Sequence, residues 1–197
     1  MKIYGIIMAA GEGRRANGNK LSRCLCGVPM LEQVICIASA SHLDGLLVVT
    51  GKEKEFVETL AARFEVNTIH NSNYTDGMTS SLQKGVSTLP ADADGFMVLL
   101  GDMPYLKPST IDFLLQKFEK DKIIIPTYGG KGGHPPVYGI RFKKDILSIT
   151  GNIGAKEVLQ NNQDCIRRVD VDDAGILKDV DFFAKRVHGD GILTEYY

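Results

Sequence analysis

The six residues GFMVLL (95–100) hold no charge, no hydroxyl and no alternation of polar with apolar positions. Successive side chains of a strand point to opposite faces, so a strand that is apolar throughout needs cover on both. Such strands lie in sheets sandwiched between helices. The neighbouring segments repeat the theme. KIYGIIM (2–8), GLLVVT (45–50), VNTIH (66–70) and KIIIP (122–126) read as strands, with another near IRRVDV (166–171). Between them, PMLEQVICIASA (29–40), EKEFVETLAARF (53–64), TSSLQKGVSTL (79–89) and PSTIDFLLQKFEK (108–120) read as helices, with shorter ones at about 143–149 and 154–161. Strand–helix alternation predicts an α/β three-layer sandwich with a mostly parallel sheet, as one domain over 1–197. Neither an internal repeat nor a low-complexity segment interrupts it.

In a sheet of this kind ligands bind beyond the carboxyl ends of the strands. The stretches just after the strands are 9–20, 71–81, 101–105 and 127–135, and all four are rich in glycine or polar residues. Composition narrows the ligand. The chain has 23 basic and 24 acidic residues, a net charge of −1, which leaves no electrostatic footprint for nucleic acid or an anionic membrane. An anion must therefore be met by cations placed locally. Lys2 precedes only a short apolar run, which does not read as a signal peptide, and no stretch approaches the roughly 18 apolar residues of a spanning helix. Cys24 and Cys26 are too close for the usual zinc pair, and with Cys36 and Cys165 they read as reduced structural thiols. The expectation is a cytoplasmic protein.

The stretch MAAGEGRRANGNKL (8–21) is tested against three phosphate-binding templates. The P-loop fails, because Gly13 and Gly18 have its spacing but Asn19 stands where its lysine must be. The dinucleotide fingerprint fits literally at Gly11, Gly13 and Ala16. It needs a helix starting there, which Gly18 weakens, and its acidic partner would be Glu32, inside a helix. In the third template Gly11, Arg15 and Lys20 form a loop. Backbone N–H groups near the glycines cradle phosphate oxygens, and the two cations neutralise a triphosphate. A solvated basic turn is the plain alternative.

The loop continues to GVPML (27–31), and the combination resembles the nucleotidyltransferases of Rossmann-like, glycosyltransferase-A-like fold. NSNYTDGMTSSLQKG (71–85), LLGDMP (99–104), GGHPPVYG (132–139) and DVDF (179–182) resemble, in order, motifs of the molybdenum-cofactor nucleotidyltransferases, the MobA-like NTP transferases. Within them the Ala9-Ala10-Gly11 form is similar to the cytidylyl branch, where guanylyl-transferring members carry two glycines. Two departures stand out. Arg15-Ala16-Asn17 replaces the family's Arg-Met-Gly, and only Asp179-Val180-Asp181 remains of its closing acidic motif.

The resemblance implies transfer of CMP from CTP to molybdopterin cofactor around Mg²⁺, releasing pyrophosphate. Arg15 and Lys20 would hold the triphosphate. Asp102, just past the most apolar strand, is the first metal-ligand candidate; Asp181 is the second and Asp179 its substitute if the alignment slips by two. Ala9, Ala10, Gly11 and Gly13, with Asn73, Gly77 and Ser81, would contact the nucleotide, and Gly133, His134 and Pro135 the acceptor. Each has an ordinary reading too: a turn carboxylate at Asp102, a helix capped by Thr79 or Ser80, a hydrogen-bonded histidine at 134. Other functions stay open: a GTP-dependent guanylyltransferase, transfer to a sugar phosphate or methylerythritol phosphate, a non-catalytic cofactor chaperone serving a client molybdoenzyme, or an NAD-dependent reductase.

Overall fold

The structure, a computed structural model, describes residues 1–11 and 20–180. The chain opens with β1 (Ile3–Ala9). A two-residue ribbon, β2 (Cys24–Leu25) and β3 (Val28–Pro29), leads into α1 (Met30–Ser39). Next come β4 (Gly45–Thr50), α2 (Lys54–Ala62), β5 (Asn67–His70), α3 (Met78–Ser87), β6 (Gly95–Leu100) and α4 (Pro108–Gln116). The second half holds β7 (Ile123–Tyr128), β8 (Lys131–Gly132), β9 (Val137–Gly139), α5 (Lys143–Leu147), α6 (Lys156–Asn161) and β10 (Ile166–Asp170). Pro108 occupies the first turn of α4, where its missing N–H has no intrahelical partner to lose.

The main sheet runs β5-β4-β1-β6-β9-β7-β10, with β8 beside β7. Parallel pairs join β1 to β4 and β6, β4 to β5, and β7 to β10. Two short strands depart from the parallel pattern: β8 pairs antiparallel with β7, and β9 lies antiparallel between β6 and β7. At three residues β9 is too short to show a period in the sequence, and its place comes from pairing with both neighbours.

Strand periodicity builds two cores. Ile7, Val48, Met97, Leu99, Ile124 and Val137 face α1, α2 and α4, packing on Leu31, Ile35, Leu60, Ile111 and Leu114. Their sequence neighbours Ile6, Val49, Phe96, Val98, Ile123 and Tyr138 face the other way, onto Leu82 and Val86 of α3, Ile146 of α5 and Val158 of α6. The three-layer sandwich follows from that alternation. Phe96 and Tyr138 stack across the β6–β9 pair with ring centroids 5.2 Å apart, and burial pushes the Tyr138 phenol well above its usual range.

The start of α3 corrects the sequence expectation of a Thr79 or Ser80 cap. Gly77 is the N-cap, and no side chain caps the helix. Thr79 and Ser80 are turned to other partners. Thr79 Oγ1 accepts from the Gly154 N–H at 3.0 Å, and Ser80 Oγ donates to the Asn73 and Gly77 carbonyls, each at 2.9 Å.

Candidate functional site

Strand β1 is where the sheet order turns. The chain lays β4 and β5 to one side of it, then returns to place β6 on the other. A crevice opens at such a switch point, lined by the segments that leave the carboxyl ends of β1 and β6. The Gly101 N–H donates to the Met8 carbonyl at 3.1 Å, carrying the β1–β6 ladder one residue beyond β6. Asp102 is thereby delivered opposite the end of β1. A cleft of about 280 Å³ lies there, and Ala10, Gly11, Lys20, Gly77, Ser81 and Asp102 all line it.

Six of the residues singled out from sequence thus converge from three separate stretches of chain. The Lys20 ammonium meets the Asp102 carboxylate at 2.8 Å, both groups largely withdrawn from solvent. The opening segment is anchored just past Lys20, where the Glu53 carboxylate accepts the N–H groups of Leu21 and Ser22 at 3.1 and 3.2 Å. Gly77 has a φ of +100° and a ψ of −169°, a region essentially reserved for glycine. A Cβ there would sit 2.0 Å from the Asn152 amide.

The other candidates fall elsewhere. Ala9 is buried in the α1-side core. Asn73 is exposed and outside the cleft lining; its N–H donates to Asn71 Oδ1 at 3.1 Å. Gly13, Arg15 and Asp181 lie outside the described residues. His134 and Pro135 line a narrow crevice with Leu99, Leu100 and Met103, across β6 from the cleft, and Leu100 belongs to both. Gly133 packs so closely on the Ile176 carbonyl that a Cβ would approach its oxygen to 2.4 Å. The next residue is pinned to the same oxygen, which accepts the His134 N–H at 2.9 Å.

His134 is largely buried, within electrostatic reach of two of the acidic candidates. Burial pushes its imidazole below the ordinary histidine range, while the carboxylates of Asp102 and Asp179 pull the other way. Asp179 comes close because the N–H of its neighbour Val180 donates to the Asp102 carbonyl at 3.0 Å. Among the described residues no three His, Cys, Asp or Glu side chains gather as a metal cage. Mg²⁺ needs less, taking one or two carboxylates with phosphate oxygens and waters completing the shell. Asp102 on the cleft wall suits an ion shared with a phosphorylated ligand.

Sequence reasoning missed the apolar wall formed by Met8, Leu21, Tyr74, Met78 and Leu100. A methionine or leucine at a strand end looks like core, and only the open crevice makes it a lining. It also missed Glu53 and Asn71. Asn71 stands immediately after β5, the position that marks ligand-edge residues in this fold class, and that was the available signal.

The described helices include none long and apolar enough to cross a membrane. A family model described as "MobA-like NTP transferase domain" matches residues 5–166. The chain is 28% identical over 154 residues to "Bifunctional protein GlmU" of Clostridioides difficile, a match covering 76% of this chain and 33% of that protein. It is 31% identical over 120 residues to "Probable molybdenum cofactor guanylyltransferase" of Thermococcus gammatolerans, covering 60% of this chain and 58% of that protein. The chain therefore spans about a third and under three-fifths of these two relatives. "Purine catabolism protein PucB" of Bacillus subtilis is 25% identical over 188 residues, 91% of each chain. Among solved structures, Rv0371c of Mycobacterium tuberculosis superposes with a TM-score of 0.81 at 21% identity, over 92% of this chain and 93% of that one. A CMP:2-keto-3-deoxy-manno-octonic acid synthetase complexed with CTP gives 0.71 at 17%, over 87% and 90%. At such identities the likeness speaks for the fold.

Proposed function

As a member of the MobA-like NTP transferase domain family, to which this chain belongs, the protein has the fold of a nucleotidyltransferase, and we propose that it moves CMP from CTP to the phosphate of molybdopterin cofactor, releasing pyrophosphate. The observation that carries the transfer chemistry is the convergence of Gly11, Lys20, Gly77, Ser81 and Asp102 on one cleft at the switch point of the sheet.

Nucleotidyl transfer brings one phosphate anion against another, so charge neutralisation and alignment are what the protein supplies. Lys20 is placed to exchange its bond to Asp102 for a phosphate oxygen. Asp102 would hold Mg²⁺, which neutralises phosphate charge when bound. The acceptor phosphate itself attacks, and no protein nucleophile is required. His134, held neutral by its burial, suits a hydrogen-bond role beside Asp102. The Ala10 methyl in the cleft wall favours a smaller pyrimidine over a purine. The competing donor is GTP, a reading favoured by the molybdenum cofactor guanylyltransferase of Thermococcus among the relatives.

Calorimetric titration with CTP, GTP and NADH, with and without Mg²⁺, tests this directly. CTP binding strengthened by Mg²⁺ is expected, with the metal effect lost in Asp102→Asn. A GTP preference would overturn the choice of base, and NADH binding alone would overturn the transfer reading. Pyrophosphate release on adding molybdopterin then identifies the acceptor.

A further inference from the structure

Beside the cleft lies a small polar network in which one backbone contact fixes the orientation of a buried amide. Asn71 is 5% exposed, and its own N–H extends the sheet by donating to the Thr50 carbonyl at 2.9 Å. Its side-chain oxygen accepts the Asn73 backbone N–H at 3.1 Å. A backbone N–H can only donate, so this contact fixes which end of the amide is oxygen. The NH₂ end must then face the two serines, and it donates to Ser80 Oγ at 3.0 Å and to Ser81 Oγ at 2.9 Å.

Each serine is thereby made an acceptor toward Asn71 and must spend its own proton elsewhere. Ser80 has carbonyl acceptors in Asn73 and Gly77 at 2.9 Å. Ser81 is 3% exposed and lines the cleft, and among the described residues its hydroxyl proton has no acceptor. The carbonyls three and four residues back, which a helical serine ordinarily uses, are those of Met78 and Gly77; neither accepts the Ser81 hydroxyl among the described residues, and Gly77 takes that of Ser80.

We infer that Asn71 is a positioning residue that fixes Ser81 as a hydrogen-bond donor into the cleft, so that the ligand atom Ser81 meets is a lone-pair acceptor. This rests on the nucleotide reading of the cleft. The acceptor is a base carbonyl, a ring nitrogen or a phosphate oxygen, and an N–H or O–H of the ligand is disfavoured there. Asn71→Asp tests the direction with little change of shape. A carboxylate oxygen in place of the NH₂ accepts the Ser81 proton, turning it away from the ligand.

The experiment is a double-mutant cycle read by calorimetric affinity for CTP and GTP with Mg²⁺, using wild type, Ser81→Ala, Asn71→Asp and the double variant. Ser81→Ala weakens binding about three- to tenfold, as expected for one lost hydrogen bond. Asn71→Asp weakens it by at least as much, and adding it to Ser81→Ala causes no further loss, because the donor is already gone. Losses that multiply would mean that the new charge or a general loosening acts on its own, and would overturn the inference. So would Ser81→Ala binding as tightly as wild type, a result that stands even if Asn71→Asp does not fold. A wild type that binds neither nucleotide overturns the reading of the cleft as well; a multiplicative cycle on a binding wild type overturns this inference alone.

Discussion

Replacing Gly77 with alanine perturbs the cleft at one carbon atom, and the structure supplies both parts of the cost. At φ +100° and ψ −169° the backbone lies where essentially only glycine is comfortable, a penalty of about 1–3 kcal/mol for alanine. The added methyl would also sit 2.0 Å from the Asn152 side-chain amide. Asn152 is exposed, so it swings aside rather than forcing the helix start to move. That displacement adds about 0.5–1 kcal/mol, and it should appear as coupling in the Gly77→Ala/Asn152→Ala double variant. Urea unfolding measures both. Gly77→Ala is expected to lose about 1.5–4 kcal/mol, and Asn152→Ala to restore only the smaller part. Because Gly77 lines the cleft, nucleotide affinity should fall even under conditions where the variant is fully folded. A Gly77→Ala protein within about 0.5 kcal/mol of wild type would refute the argument, since surface changes without special backbone demands stay in that range.

Three further outcomes are expected. Glu53→Ala removes the acceptor of the Leu21 and Ser22 N–H groups, and should cost about 1–2 kcal/mol in urea unfolding while raising KM for the nucleotide. His134 has its folded pKa lowered, so the unfolded chain binds the proton more readily and stability falls as pH drops below the ordinary histidine value of about 6.5. Urea midpoints from pH 7.5 down to 5.5 should therefore decline less steeply in His134→Asn than in wild type; parallel declines would contradict this. Asp173, 2% exposed, accepts from the Lys107 and Gly175 N–H groups and the Thr110 hydroxyl. Asp173→Ala strands those donors and should cost about 2–4 kcal/mol, seen as a lower thermal midpoint.

Much of the site was legible because chemistry and position coincided in the chain. Asp102 comes two residues after an apolar strand, where a charged residue of a buried sheet faces the ligand edge, and Lys20 was marked by its spacing from Gly11. Gly77 and Ser81 were accessible in the same way, past β5. Asn73 is exposed and outside the lining, its N–H held by Asn71 and its side-chain oxygen accepting the Ser72 hydroxyl. Asn71 itself looks like any polar residue ending a strand. Its role depends on two serines nine and ten positions onward being folded back by the turn before α3.

Uninterrupted apolar strands alternating with amphipathic helices determined the sandwich. Ile6 and Ile7, Val48 and Val49, Phe96 and Met97 cannot all be buried unless both faces of the sheet are covered. The strand-end loops came with it, because in such a sheet the chain must turn back at the carboxyl edge. Tertiary structure decided what no local pattern encodes. It set the antiparallel insertion of β9, the Met8–Tyr74–Leu100 wall of the cleft, the meeting of Lys20 with Asp102 across more than eighty residues, and the direction of the Ser81 proton. Those features are contacts between segments distant in sequence. Pairing partners, shared cavities and hydrogen-bond polarity exist only once the segments have met.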